Sequence, residues 1–231
     1  TEIYTLSLHD ALPISWDSTL RLWDLESGEC LKELEGHTGE VSGVQLLSDG
    51  RVLSWFWDKT LWDKTLRLWD LESGECLKVM EGHTKPVRCA HLLSDGRALS
   101  WSWDKTLRLW DLESGECLKK LEGHQAEVSG VQLLSDGRAL SHGWSYDKTL
   151  RLWDLESGEC LKVLEGHTGG VNGVQLLPDG RALSWSWDNT LRLWDLESGE
   201  CLKVLEGHTD DVNGVQLLPD GRALSWSWDN T

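Results

Sequence analysis

The chain has 231 residues, 39% of them hydrophobic and 26% charged, with a formal net charge of −17. That balance suits a folded chain of one large domain or two small ones, and no apolar run approaches the roughly 20 residues of a membrane helix. The acidic excess argues against nucleic acid and against an anionic membrane surface, both of which need clustered Lys and Arg.

Thr1–Ile14 (TEIYTLSLHDALPI) shares nothing with the rest of the chain. It matches, codon for codon, the in-frame translation of a widely used short-read sequencing adapter. It is expected to be a non-native segment that adds nothing to the core, as a fusion scar would be. From Ser15 onward the chain repeats. Sixteen Trp stand against one Phe and two Tyr, a ratio that duplication of one Trp-bearing unit produces. Gly-His recurs at His37, His83, His124, His167 and His208, with spacings of 46, 41, 43 and 41. Trp-Asp recurs at Trp23, Trp69, Trp110, Trp153 and Trp194 with the same spacings. The unit is therefore 41 residues, lengthened by 5 at the tandem Trp-Asp-Lys-Thr-Leu of 57–61 and 62–66, and by 2 at Ser141–Trp144. A half unit spans 15–35, complete units begin at 36, 82, 123 and 166, and a second half unit spans 207–231.

The copy from Gly166 to Glu206 predicts four short strands. Val171–Leu177 is the first, turned by Pro178-Asp179-Gly180 into Arg181–Ser186. Trp187-Asp188-Asn189 ends the second strand, and Thr190–Trp194 is the third. Glu197-Ser198-Gly199 turns into the fourth, Glu200–Leu205. Such strands form an antiparallel meander. Leu191 and Leu193 point to one face of the third strand, Arg192 and Trp194 to the other. Apolar residues on both faces require each sheet to be covered on both sides. Five of the six cysteines (Cys30, Cys76, Cys117, Cys160, Cys201) fill one repeated Gly-Glu-Cys-Leu position, and none forms a Cys-x-x-Cys pair. This is the pattern of reduced structural thiols, expected in a cytoplasmic protein.

Gly-His, Pro-Asp-Gly and Asp-x-Thr-Leu-Arg-Leu-Trp-Asp at this spacing resemble the WD40 repeat, from about Ser15 to Thr231. The near-identical copies resemble repeat arrays of bacterial signalling proteins. The resemblance implies an all-β fold, a β-propeller of four-stranded antiparallel blades with five blade equivalents, expected to form part of a larger ring and to leave an open arc. It implies a non-enzymatic protein-interaction scaffold within a signalling or regulatory protein. One departure is the Ser-Trp-Ser-Trp of the second strand, where the family carries small residues. The extra rings are expected to pack between blades.

Each unit also holds His, Ser, Asp and Trp. A Ser-His-Asp set invites a nucleophile reading, but catalysis needs such a set once and here it recurs. The resemblance implies a hydrogen-bonded structural tetrad instead. Its members are His83, Ser100, Asp104 and Trp110; His124, Asp147 and Trp153; and His167, Asp188 and Trp194 with Ser184 or Ser186, the motif favouring Ser184. No His pair has metal-ligand spacing, and no phosphate loop or calcium loop appears, so no metal or cofactor is expected.

The copies differ mainly after Gly-His: Thr-Gly-Glu (38–40), Thr-Lys-Pro (84–86), Gln-Ala-Glu (125–127), Thr-Gly-Gly (168–170) and Thr-Asp-Asp (209–211). They differ again at Ser42, Arg88, Ser129, Asn172 and Asn213, whereas Leu-Glu-Ser-Gly-Glu is identical in all five. Variation on a constant scaffold makes this face a binding candidate, the other reading being neutral drift at exposed loops. The candidate rim comprises Glu40, Lys85, Arg88, Gln125, Glu127, Asp210 and Asp211. Its acidity points to a protein or peptide partner of basic character. The competing class is a propeller enzyme with a channel site at Arg88, Cys89 and His91, in the most divergent first strand.

Overall fold

The computed structural model describes residues 18–56 and 63–229. Thr1–Ile14, the residues 15–17, residues 57–62 with the five-residue insertion, and the last two residues lie outside the described set. Among the described residues there are twenty strands and no helix. Each strand is four to six residues long, as the turn spacing predicts.

β1 (Leu20–Trp23) and β2 (Cys30–Leu34) form a two-stranded sheet. β3 (Val41–Leu46), β4 (Arg51–Phe56), β5 (Leu66–Asp70) and β6 (Cys76–Met80) form a four-stranded sheet in chain order. The same order holds for β7 (Val87–Leu92), β8 (Arg97–Ser102), β9 (Leu107–Asp111) and β10 (Cys117–Leu121). It holds again for β11 (Val128–Leu133), β12 (Arg138–Gly143), β13 (Leu150–Asp154) and β14 (Cys160–Leu164). β15 (Val171–Leu176), β16 (Arg181–Ser186), β17 (Leu191–Asp195) and β18 (Cys201–Leu205) make the last full sheet. β19 (Val212–Leu217) and β20 (Ala223–Ser227) form a second two-stranded sheet. The chain divides into two compact units, one of Trp110–Cys117 with the described residues up to Leu99, the other of Ser100–Leu109 with the described residues from Leu118.

Local chemistry explains the repetition. In the β5–β6 turn, Asp70 Oδ1 accepts from the Ser73 N–H at 2.6 Å and from its hydroxyl at 2.8 Å. Gly74 takes φ +82° there, and its N–H donates to the Asp70 carbonyl. Asp111, Asp154 and Asp195 cap their turns in the same way. The third strand starts one residue later than the sequence suggests, at Leu191. Thr190 is held by Asp188 Oδ1 at 2.7 and 3.1 Å instead of entering the ladder.

Within each unit, sheets bury their faces against the next sheet in the chain. In the first unit Leu53, Leu66, Leu68 and Met80 form one cluster with Val87, Ala90, Ala98 and Trp110. In the second, Leu140, Leu150, Leu152 and Leu164 cluster with Val171, Val174, Ala182 and Trp194. The extra second-strand rings join these contacts. Trp55 belongs to the first cluster, and Trp185 packs on the Leu183–Leu191–Val212 group.

The rings also do something the repeat pattern does not announce. Trp185 pairs across the ladder with Gly173 and lies flat over it. A Cβ at Gly173 would sit 2.2 Å from the ring. Gly43 under Trp55 and Gly214 under Trp226 are in the same position. The Val-x-Gly-Val of the first strand is therefore the partner of the Ser-Trp-Ser-Trp of the second. Gly173→Ala is expected to destabilise by about 1–3 kcal/mol through overpacking. Adding Trp185→Ser should recover part of that loss in urea unfolding. A neutral single substitution would show that the ring yields freely.

Packing also accounts for part of the variation after Gly-His. A Cβ at Gly39 would sit 2.2 Å from the Phe56 ring. One at Gly169 would meet the Asp188 nitrogen, and one at Gly170 the Ser145 carbonyl oxygen, each at 2.7 Å. These glycines answer to neighbouring loops. Asn172, at the second variable position, donates to the Val212 carbonyl at 3.0 Å.

Candidate functional site

The repeated polar residues converge on one network. Trp194 Nε1–H donates to Ser184 Oγ at 2.8 Å, and the Ser184 hydroxyl donates to His167 Nε2 at 2.7 Å. His167 Nδ1–H donates to Asp188 Oδ2 at 2.8 Å. Asp188 also accepts from the Thr168 N–H at 2.8 Å and from Thr190. Every donor in the series has an acceptor, and the imidazole stands in one tautomer fixed by its two partners. The Trp and His rings lie 6.1 Å apart.

The network recurs at Trp153, Ser141, His124 and Asp147, with successive contacts of 2.8, 2.7 and 2.6 Å. It recurs in the first unit at Trp69, Ser54, His37 and Asp63, at 2.8, 2.6 and 2.7 Å. His208 meets Ser225 at 2.9 Å and Asp229 at 2.7 Å. Of the remaining set, His83 packs on Trp110 with centroids 6.1 Å apart, Ser100 is fully buried, and Asp104 accepts from Thr106 at 2.7 and 3.0 Å.

Ser141, the His37–Ser54–Asp63–Trp69 set and the His208–Ser225–Asp229 set are not among the network residues assigned from the sequence, although His37, Trp69 and His208 stand at its repeat positions. A usable signal exists: Ser follows His by 17 residues in each copy. That interval selects Ser184 over Ser186. The His–Asp interval varies between 21 and 26 because the insertions fall inside it. It could not show that Asp63 joins His37.

Electrostatics follow from burial and from these bonds. Burial lowers the pKa of His124 and His167, and the neighbouring carboxylates only partly oppose it. Burial works against ionisation of Asp188, but Thr190, the Thr168 N–H and His167 outweigh it and bring the carboxyl down to about 2. Asp63 and Asp147 are held well below the carboxylate range by the same balance. The pair is thus neutral imidazole and carboxylate at pH 7.

The rim residues lie beside this network. In the second unit Gln125 donates its N–H to Asp147 at 2.7 Å, and the Glu127 carbonyl accepts from Trp144 N–H at 2.7 Å. The Asp210 carbonyl accepts from the Ser227 hydroxyl at 2.8 Å, and partial burial and the charge of Asp210 raise the pKa of Asp211. Gln125 and Asp210 are exposed; Glu127 and Asp211 are half-buried. In the first unit Lys85 is exposed, and Glu40 and Arg88 are half-buried. Cys89 stands where the other first strands have the glycine, and His91 two residues on is half-buried. Burial pushes the Cys89 thiol up to about 11. Among the described residues no three His, Cys, Asp or Glu side chains group to hold a metal ion.

Four-stranded antiparallel meanders pinned by a His-Ser-Asp-Trp network and repeated along the chain define a propeller-blade repeat protein. The family of the WD domain, G-beta repeat, matches residues 28–70, 74–111, 115–154, 158–195 and 199–231, and the chain belongs to this WD40 family. It is similar to the crystal structure of the computationally designed Ika8 protein, with a TM-score of 0.73 and 27% identity over 93% of the chain. The chain spans 66% of the length of that protein. WD40 domains are typically non-enzymatic scaffolds that bind proteins or peptides.

Proposed function

We propose that the chain is a non-enzymatic interaction module of a cytoplasmic signalling or regulatory protein, and that its rim binds a basic protein or peptide. The observation that carries this reading is the saturation of the polar network. Ser184 is fully buried and is held between Trp194 and His167 at 2.8 and 2.7 Å. A serine so enclosed gives its proton to the imidazole and accepts the indole N–H, and its complete burial leaves a substrate no approach. The same arrangement stands in several sheets, as a structural pin does. The Cys89 thiol, with its raised pKa, stays protonated at pH 7, which also disfavours a nucleophilic site at Arg88, Cys89 and His91. What remains is the variable, acidic rim.

Charge reversal at Asp210 and Asp211 to Lys is expected to weaken binding of a fluorescein-labelled octalysine peptide by about ten-fold at low salt, through lost charge complementarity. Fluorescence anisotropy would measure it. Unchanged affinity would remove this rim as the site.

A further inference from the structure

The loop between β12 and β13, two residues longer than its counterpart after β16, brings an exposed indole beside a second one. Trp144 and Trp187 occupy the loops after β12 and β16. Their ring centroids lie 6.0 Å apart with planes at 78°. The two rings thus meet edge to face in a corner, and the two residues are 40% and 38% exposed. The corner is fastened to the variable rim. Trp144 N–H donates to the Glu127 carbonyl at 2.7 Å, and Trp187 N–H to the Gly170 carbonyl at 3.0 Å. The missing side chains of Gly169 and Gly170 are what let these loops close on each other, as the contacts to Asp188 and Ser145 show.

The same loop already holds a cation. Lys105 Nζ lies 5.9 Å from the centroid of Tyr146 and donates to the Gln125 carbonyl at 2.7 Å. Indole faces carry the most negative quadrupole of any side chain and attract ammonium and guanidinium groups most strongly. The chain around them has a net charge of −17. That charge repels a nucleic acid, whose bases would otherwise stack on such rings. It gives no advantage to a proline-rich peptide, the other common occupant of aromatic grooves.

We propose that the Trp144–Trp187 corner binds the cationic side chain of a lysine or arginine from a basic peptide. This deepens the rim reading above and rests on it. The corner supplies cation–π contact, and the acidic rim supplies long-range attraction.

The test is a titration of the intact chain with octalysine, fully ε-acetylated octalysine and octaproline at 0.15 M salt. It would be followed by indole N–H resonances and by anisotropy. Octalysine should shift the indoles of Trp144 and Trp187, and the two neutral peptides should not. Trp144→Ala and Trp187→Ala should each weaken octalysine by about five-fold, the scale of one cation–π contact, with melting temperatures close to the parent. Trp187→Phe should retain part of the affinity. Should an alanine variant fail to fold, the indole shifts in the parent chain still decide the matter. Parent-like affinity of both alanine variants, or equal indole shifts with an uncharged peptide, overturns the corner. If the Asp210 and Asp211 reversal still weakens binding in that case, the rim reading survives without it. Absence of octalysine binding overturns both.

Discussion

Trp194→Ala is expected to lower the free energy of unfolding by about 4 kcal/mol, within the range for deleting a large buried ring. Trp194 is fully buried in the cluster that joins Leu140, Leu150 and Leu164 to Val171, Val174 and Ala182. Its loss opens a cavity and removes the indole donor to Ser184 Oγ. Trp194→Phe separates the two effects. It keeps most of the volume and loses the donor, so about 1–2 kcal/mol is expected. Urea unfolding of both variants measures the difference. Equal losses would mean that the hydrogen bond, and not the ring, carries the site.

Acidification from pH 7 to 4 is expected to cost the second unit about 3 kcal/mol through His142 alone, taking about 1.4 kcal/mol for each unit of pKa difference. His142 stands where the other second strands have Trp, and its ring lies over Gly130 as those rings lie over their glycines. Its Nδ1–H donates to the Val171 carbonyl at 3.1 Å, beside the Ser129 hydroxyl at 2.9 Å. Burial pushes its pKa from 6.5 down to about 4, with His124 adding to the shift and Asp147 and the Val171 carbonyl opposing it. Between those two values the unfolded chain binds the extra proton and the folded chain does not. Stability therefore falls as pH falls through that window. His124 and His167, lowered by burial, act in the same direction. The stabilisation from Asp188 persists to lower pH, fading only from its ordinary value of 3.8 towards about 2. Melting temperature against pH, compared with a His142→Trp variant, measures the effect. The variant should flatten the decline between pH 6.5 and 4. A parent-like slope would assign the decline to the network histidines.

Much of this was legible in the residues because it is local. The Asp-Leu-Glu-Ser-Gly-Glu turns form wherever they occur, since Asp caps the Ser N–H three residues on and Gly accepts positive φ. The period of 41 residues and the alternation of Leu with Arg and Trp imply stacked meanders, because each sheet has two apolar faces to cover. Even the choice of Ser184 follows from the constant interval of 17 residues after His. Asp63 was not legible, since the tandem Trp-Asp-Lys-Thr-Leu offers two aspartates. The tertiary structure places Asp63 2.7 Å from His37.

The amino-acid sequence by itself determined the strands, the turns, the family and the composition of the network, all of which depend on neighbours a few residues apart or on one repeated spacing. The tertiary structure alone decided what the non-repeating residues do. Gly170 against Ser145 and the Trp144–Trp187 corner join segments 25 and 43 residues apart. Such contacts depend on how loops of unequal length meet across packed sheets, and no periodicity encodes that.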